Sequence, residues 1–314
     1  MPEYDVVIIG SGPAGLTAAI YAGRALVKTL VVGGRTTGGQ LMLTSDVENF
    51  PGFADAVQGP ALMTEMRKQA ERFCVEITDE DVESVDFSSM PLKVKVGNQV
   101  HTAKSVIIAT GSSAKWLGLP SETNLRGKGV SGCATCDGYF FRGKRVVVVG
   151  GGDTAIEEAL FLTKYATEVI VVHRREELRA SKIMQRRALS NDKIRFVWNS
   201  IVEEVLGENH VEGVKVKDVK TGKPTITACD GLFVAIGHQP NTGIFERQIA
   251  LDEKGYVLSQ GTKTSVDGVF VAGDVHDYKY RQAVTAAGEG CRAAMDALAY
   301  LEEQKEVTVS PQES

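Results

Sequence analysis

Two cysteines separated by two residues, Cys133 and Cys136, are the part of this sequence best suited to chemistry. Such a pair can close a disulfide and reopen it, or it can supply half of the ligands of a zinc site. A structural zinc site needs four ligands, usually from two such pairs. The other cysteines, Cys74, Cys229 and Cys291, stand alone, and no histidine pair follows at finger spacing. The pattern therefore favours a redox dithiol, and we expect no metal.

A glycine-rich loop near the start of the chain predicts a nucleotide site. The segment from Tyr4 to Ile9 has the composition of a buried strand, and residues 16–22 have that of a helix. The loop between them contains Gly10, Ser11, Gly12, Pro13, Ala14 and Gly15. Glycines at this spacing allow a tight turn and the close approach of a pyrophosphate, which the helix N-terminus favours. The loop therefore predicts dinucleotide binding.

The end of the next predicted strand departs from the usual pattern of such sites. An acidic residue is expected there to hold a ribose, but the strand from Thr29 to Val32 runs into Gly33, Gly34 and Arg35. From spacing alone, Arg35 could face a 2′-phosphate instead. The sequence leaves this choice open.

A second loop of the same kind follows the dithiol, between a strand at residues 143–149 and a helix at residues 156–165. It contains Gly150, Gly151, Gly152, Asp153 and Thr154. The strand after this helix ends in His173, Arg174 and Arg175, with Arg179 a turn further on. Arginines at this position pair with the 2′-phosphate of NADPH. The alternative is a solvated basic helix face, because Lys182, Arg186 and Arg187 continue the charge.

Two later strand ends also have the form of binding turns. Thr110 and Gly111 follow a strand at residues 101–108, and Asp274 follows a buried strand and a glycine. Asp274 could accept hydrogen bonds from ribityl hydroxyls, or it could cap the helix expected at residues 283–301. Residues 302–314 are polar, and we expect them to be frayed.

Length and composition limit the possible classes. A chain of 314 residues predicts about two domains. A net charge of −5 argues against binding of nucleic acid, and no apolar run approaches the roughly 18 residues of a membrane span. Five cysteines, of which one pair is closely spaced, fit a reducing compartment and hence the cytoplasm.

Taken together, the chain resembles the low-molecular-weight thioredoxin reductases, class II members of the pyridine nucleotide-disulfide oxidoreductases. The resemblance extends from Tyr4 to about Leu301. It is closest in four short segments, which are residues 38–41, 48–52, 133–138 and 280–283.

The resemblance implies an α/β fold with two Rossmann-like dinucleotide-binding domains. A discontinuous FAD domain would comprise residues 1–115 and 245–314, and an inserted NADPH domain, residues 116–244, would carry the dithiol. It also implies a homodimer that uses FAD and NADPH to reduce thioredoxin.

The resemblance further implies a set of site residues. Around FAD it places Gly10, Ser11, Gly12, Pro13, Ala14, Gly15, Gly38, Gly39, Gln40, Leu41, Asn49, Thr110, Gly111, Asp274, Arg281, Gln282 and Ala283. Around NADPH it places Gly150, Gly151, Gly152, Asp153, Thr154, His173, Arg174, Arg175, Arg179, Ile236 and Gly237. Cys136 would be the sulfur next to the flavin, Cys133 the sulfur that attacks thioredoxin, and Asp137 the acid that protonates an outgoing thiolate. Alternatively, Asp137 is only a carboxylate at a helix start.

Three other functions remain open at this point. The same fold can oxidise a small dithiol with oxygen as acceptor, or reduce a peroxidase partner. A non-catalytic flavin-binding scaffold with a structural dithiol is the third. NADPH-driven reduction of a disulfide by the purified protein would separate them from a thioredoxin reductase.

Overall fold

The structure is a computed structural model that describes residues 3–35, 37–44 and 46–309. Over these residues the chain divides into two compact units. Unit 1 is built from the two ends of the chain, up to Ser113 and from Gln239 onwards, and unit 2 is the segment Ala114–His238.

The first segment of unit 1 begins with alternating strands and helices and ends in a run of five strands. Its elements are β1 (Tyr4–Ile9), α1 (Pro13–Arg24), β2 (Thr29–Val32), a 3-10 helix (Gly39–Leu43), β3 (Asp46–Val47), β4 (Val57–Gln58), α2 (Gly59–Glu71), β5 (Glu76–Thr78), β6 (Val82–Asp86), β7 (Leu92–Val96), β8 (Gln99–Ile108) and β9 (Ser112–Ala114).

Unit 2 follows, and the chain then returns to unit 1. The next elements are α3 (Pro120–Asn124), β10 (Val130–Ser131), α4 (Ala134–Asp137), a 3-10 helix (Gly138–Phe141), β11 (Arg145–Val149), α5 (Asp153–Leu162), β12 (Glu168–Val172), α6 (Lys182–Leu189), β13 (Ile194–Val197), β14 (Ser200–Leu206), β15 (Gly213–Asp218), β16 (Pro224–Ala228), β17 (Gly231–Val234) and β18 (His238–Pro240). The last are a 3-10 helix (Gly243–Phe245), β19 (Val269–Val271) and α7 (Ala283–Val309).

The main sheet of unit 1 has the order β5-β2-β1-β8-β7-β6, and β19 also pairs with β8. The pairings of β1 with β2 and β8, of β2 with β5 and of β8 with β19 are parallel. Strands buried on both faces are rich in Val and Ile because neither face meets water. Alternate residues of β1 accordingly enter two cores, with Val6 and Ile8 in one and Val7 and Ile9 in the other.

The parallel sheet of unit 2 has the order β10-β17-β11-β12-β13. Val146 and Val148 of β11 pack with α5 on one face, and Val147 and Val149 pack on the other face with residues of β14 and β15. Strands β14, β15 and β16 form a separate antiparallel sheet. In both units the parallel strands bring their glycine loops to the carboxyl ends of the sheet, where nucleotides bind in such folds.

The architecture confirms the predicted α/β fold with two Rossmann-like sheets, although some element boundaries differ. The helix predicted at residues 156–165 is α5 (Asp153–Leu162), and the strand predicted at residues 101–108 begins at Gln99. The helix predicted to end at Leu301 continues to Val309, so the expected fraying is wrong for residues 302–309. None of the helices in the described part of the chain is long and apolar enough to cross a membrane.

Candidate functional site

Cys133 and Cys136 form a disulfide at the start of α4 in unit 2. Their Cα atoms are 5.3 Å apart. Cys133 precedes the first helical residue, and its N–H donates to the hydroxyl of Ser131 at 3.0 Å. Cys136 is exposed, whereas Cys133 is partly buried. One turn of helix thus brings the two sulfurs of the pair together, with Cys133 held by the end of β10.

Asp137 closes the same turn. Its backbone N–H donates to the Cys133 carbonyl oxygen at 3.1 Å. Burial raises the pKa of the Asp137 carboxyl, and a hydrogen bond with Ser131 opposes the rise. The carboxyl therefore keeps its proton to a higher pH than an exposed aspartate, as a proton donor beside the sulfurs requires. Ser131 contacts both residues, and the sequence reasoning missed it.

The glycine loop of unit 1 is shaped for a close ligand. A Cβ at Gly10, whose φ is 113°, would lie 2.2 Å from the carbonyl oxygen of Ala109, and one at Gly15 would lie 1.9 Å from that of Gly10. A Cβ at Gly12 would meet nothing within 4 Å. No side chain caps the N-terminus of α1. The loop therefore packs closely at its ends and leaves space and N–H groups for a pyrophosphate at its centre.

Ser11 joins this loop to the two segments beside it. Its hydroxyl donates to the Gly33 carbonyl oxygen at 3.1 Å and accepts from the Gly38 N–H at 2.9 Å. The segment Gly38–Leu41, predicted to bind FAD, therefore lies beside the glycine loop. Arg35 has a carboxylate partner, because its Nε lies 3.3 Å from Asp81, and this disfavours the 2′-phosphate alternative there.

Three further FAD candidates of unit 1, Thr110, Asn49 and Gln282, form hydrogen bonds with residues distant in sequence. Thr110 donates its hydroxyl to the Asn241 carbonyl oxygen at 2.8 Å, and the Asn241 amide donates back to the Thr110 carbonyl oxygen at 2.8 Å. The Asn49 amide donates to Gln282 at 3.2 Å. Asn241 was not among the predicted site residues, although its two hydrogen bonds hold the predicted flavin turn at Thr110.

Asp274 lies in the turn after β19. Burial and, to a smaller extent, the nearby Asp277 carboxylate raise the pKa of its carboxyl to about 7, and Arg281 opposes the rise. Hydroxyl donors would favour the ionised form of such a buried carboxylate. The position therefore fits the ribityl hydroxyls of a flavin cofactor.

The glycine loop of unit 2 repeats the design of the first. A Cβ at Gly150 would lie 2.5 Å from the carbonyl oxygen of Ala235, whereas one at Gly152 would meet nothing within 4 Å. No side chain caps the N-terminus of α5. The carboxylate of Asp153, the first residue of α5, accepts from the Ser181 N–H at 2.8 Å. The loop fits a pyrophosphate, and Asp153 has a role in holding the chain that follows β12.

His173 is part of the support of this loop. Its side chain is buried, and a Cβ at Gly151 would lie 2.2 Å from its ring. The ring Nε2 lies 3.0 Å from the Glu177 carbonyl oxygen. Burial lowers the pKa of His173, so its neutral ring packs under the glycine loop.

Three arginines lie exposed beside the same loop. They are Arg174, Arg175 and Arg179. The backbone N–H of Arg179 donates to the Gly151 carbonyl oxygen at 2.7 Å, which ties this segment to the loop. Within residues 3–35, 37–44 and 46–309 none of the three arginines forms an ion pair with a carboxylate. Their guanidinium groups are therefore available to an anionic ligand.

Ile236 and Gly237 follow β17. Ile236 is 40% exposed, and a Cβ at Gly237, whose φ is 106°, would meet nothing within 4 Å. The Gly237 carbonyl oxygen accepts from the Lys115 N–H at 2.9 Å. Both residues belong to an open turn at the carboxyl end of the parallel sheet. No group of metal-ligating side chains was found among the residues that the structure describes.

Two glycine-loop units and a disulfide between neighbouring cysteines define a class, the nucleotide-dependent disulfide oxidoreductases. The sequence matches the pyridine nucleotide-disulphide oxidoreductase family over residues 4–290. The thioredoxin reductase of Rickettsia conorii is 53% identical over 302 residues, which cover 94% of this chain and 97% of that protein. That of Streptomyces clavuligerus is 54% identical, over 95% of this chain and 94% of that protein.

A solved structure gives the same result. Thioredoxin reductase from Streptococcus pyogenes superposes with a TM-score of 0.92 at 42% identity, covering 96% of this chain and 98% of that one. The chain therefore belongs to the pyridine nucleotide-disulphide oxidoreductase family, among its thioredoxin reductases. Membership confirms the predicted family and its cofactors, FAD and NADPH.

Proposed function

We propose that this protein uses NADPH to reduce the disulfide of thioredoxin, through FAD and the Cys133–Cys136 disulfide. The observation that carries the proposal is that disulfide, closed at the start of α4 in a chain with two glycine loops. The relatives named as thioredoxin reductases, at 53% and 54% identity over nearly the whole chain, support the same substrate. Neither an oxidase of small dithiols nor a reductase of a peroxidase is favoured by these relatives.

We assign FAD to unit 1 and NADPH to unit 2, with predicted domain limits of 1–115 with 245–314, and 116–244. In unit 1 the open position at Gly12, the Ser11 bridge and the partly buried carboxyl of Asp274 support the assignment. In unit 2 it is supported by the open position at Gly152 and by exposed arginines beside the loop. An anionic 2′-phosphate matches unpaired guanidinium groups in charge and geometry.

When bound, FAD supplies a carrier of two electrons between NADPH and the disulfide. The electron pair that breaks the Cys133–Cys136 bond enters at Cys136, and Cys133 leaves as a thiolate. Asp137 gives that thiolate a proton, which its raised pKa makes available.

The reduced pair then passes its electrons to thioredoxin. Asp137, now ionised, takes the proton back from Cys133. The Cys133 thiolate attacks one sulfur of the thioredoxin disulfide, forms a mixed disulfide and releases the other thioredoxin sulfur as a thiolate. Cys136 resolves it, which restores the Cys133–Cys136 bond and releases reduced thioredoxin. The cycle oxidises one NADPH and takes one further proton from solvent. Tyr139, 53% exposed directly after the dithiol helix, would contribute to the docking surface.

The assay that tests this function follows NADPH oxidation by the purified protein with oxidised thioredoxin. We expect bleaching of the flavin absorption by NADPH and then the appearance of thioredoxin thiols. A flavin that NADPH does not bleach, or NADPH oxidation that consumes oxygen and leaves thioredoxin oxidised, would contradict the proposal.

The proposed assembly is a homodimer in the cytoplasm. Large apolar side chains are exposed at and after the 3-10 helix Gly39–Leu43, where Leu43 is 59% and Phe53 is 46% exposed. A second subunit would cover such side chains. Three free cysteines, Cys74, Cys229 and Cys291, suit a reducing compartment. Light scattering should give twice the subunit mass, and a monomer across a wide concentration range would exclude the dimer.

A further inference from the structure

The turn that carries Asp274 is braced from several sides. It follows β19, and its Gly273 has a φ of 80°. A Cβ on Gly273 would lie 3.0 Å from the Cβ of Ala14, so the turn packs against the first glycine loop. The Gly273 carbonyl oxygen accepts from the backbone N–H groups of His276 and Asp277 at 3.0 and 3.1 Å. These bonds close the turn on its carbonyl side.

Glu289, from α7, fixes the opposite side of the turn. Its Oε2 accepts from the Gly273 N–H at 2.7 Å and lies 2.8 Å from Nε2 of His276. A carboxylate oxygen can only accept, so Nε2 carries the proton of this bond. The other ring nitrogen, Nδ1, lies 3.0 Å from the Ser259 hydroxyl. Ser259, His276 and Glu289 thus form a hydrogen-bond network of three side chains, which ends on the backbone N–H of Gly273, directly before Asp274.

This hydrogen-bond network is well suited to hold the turn in place. The side chains of His276 and Glu289 are only 14% and 19% exposed. Burial alone would raise the pKa of Glu289, but its bonds to His276 and to the Gly273 N–H lower it overall, so the carboxylate is ionised. Hydrogen bonds to an ionised acceptor are stronger than those between neutral groups. A mostly buried carboxylate that accepts from two donors has a structural role that a solvated helix residue lacks.

We propose that Glu289, held by His276, is a positioning residue for Asp274 and thereby sets the affinity of unit 1 for FAD. The proposal rests on the proposed function only in that Asp274 binds the ribityl chain of FAD. Glu289 acts through the backbone of the turn, since its Oε2 accepts from both the Gly273 N–H and His276. The rotation of Asp274 that follows loss of this contact would misalign its carboxylate with the hydroxyls it is to accept.

The test compares binding of FAD and of ADP to the apoprotein by calorimetry. ADP carries the pyrophosphate for the glycine loop but lacks the ribityl chain. We expect Glu289→Ala to weaken FAD binding about tenfold, since a charge-assisted bond is lost, and to leave ADP binding unchanged. Glu289→Gln keeps an acceptor oxygen and should recover most of the affinity. Glu303→Ala, at an exposed position of the same helix, is the matched control.

A double-mutant cycle with Asp274→Asn separates positioning from general damage. If Glu289 acts through Asp274, the double variant should bind FAD no more weakly than Asp274→Asn alone. Equal losses for FAD and ADP, additive losses in the cycle, or wild-type FAD binding by Glu289→Ala would each overturn the proposal. These measurements use neither NADPH nor thioredoxin, so a failure of the thioredoxin reductase assay would leave their outcome unaffected.

Discussion

Coenzyme choice gives a sharp prediction, because the arginines beside the second glycine loop are exposed and lack carboxylate partners in the described structure. We expect Arg174→Ala combined with Arg175→Ala to lower kcat/KM for NADPH and to change that for NADH little. NADH lacks the 2′-phosphate, so the truncation removes no bond to it.

The magnitude follows from the exposure of these side chains. A hydrogen bond to a charged group contributes about 1.5–3 kcal/mol, and solvent screening at an exposed site favours the lower end of this range. At about 1.5 kcal/mol, one arginine changes kcat/KM about tenfold. The two arginines would share one phosphate, so their effects are not independent, and about a hundredfold is the upper limit for the pair.

The assay measures initial rates of thioredoxin reduction over a series of NADPH and NADH concentrations. Lys182→Ala combined with Arg186→Ala is the matched control, because it removes the same charge from the exposed surface of α6. We expect this control to stay near the wild type. Equal losses with NADPH and NADH, or an equal loss in the control, would refute the assignment of the 2′-phosphate to Arg174 and Arg175.

Three other predictions test separate parts of the structure. Asp137→Asn should slow disulfide turnover about a hundredfold, while NADPH still reduces the flavin. In the wild type, the turnover rate should fall as the pH rises past the raised pKa of Asp137. A turnover rate independent of pH would argue against an acid role. Gly12→Ala should leave the melting temperature of the apoprotein unchanged and abolish FAD binding. Gly15→Ala should lower the melting temperature, because its Cβ would lie 1.9 Å from a carbonyl oxygen. Similar melting temperatures of the two variants would contradict this contrast. Glu122 is fully buried and accepts from two backbone N–H groups at 2.9 and 3.0 Å, so urea unfolding of Glu122→Ala should show a loss of about 3 kcal/mol, and a loss below about 1 kcal/mol would mean that water replaces the carboxylate.

Local patterns in the sequence predicted the elements that carry the loops. Strands β1 (Tyr4–Ile9) and β2 (Thr29–Val32) have the predicted limits, because short apolar runs between turn residues determine a buried strand. The strand from Pro224 to Ala228 was missed, since it is mostly exposed and lacks a buried face that would impose an apolar pattern. The polar end of α7 was expected to fray, but residues such as Glu302 and Lys305 are good helix formers.

Contacts distant in sequence could not be predicted from one chain. The bonds of Asn241 to Thr110 span 131 positions, and that of Asn49 to Gln282 spans 233. The hydrogen bond from the Gly273 N–H to Glu289 depends on α7 packing beside the end of β19, and no spacing in the sequence indicates this contact. The family resemblance placed His173 among the NADPH residues, but its burial under Gly151 follows only from the packed fold.

The measurement that tests the central claim most directly is an anaerobic titration of the wild type and of Cys136→Ser with NADPH, followed by addition of oxidised thioredoxin. If the disulfide relays the electrons, the wild type takes up an additional pair of electrons per subunit compared with the variant. The variant should then bind FAD and accept electrons from NADPH but leave thioredoxin oxidised. Equal electron uptake by the two proteins, or reduction of thioredoxin by Cys136→Ser at the wild-type rate, would contradict the role of the Cys133–Cys136 pair.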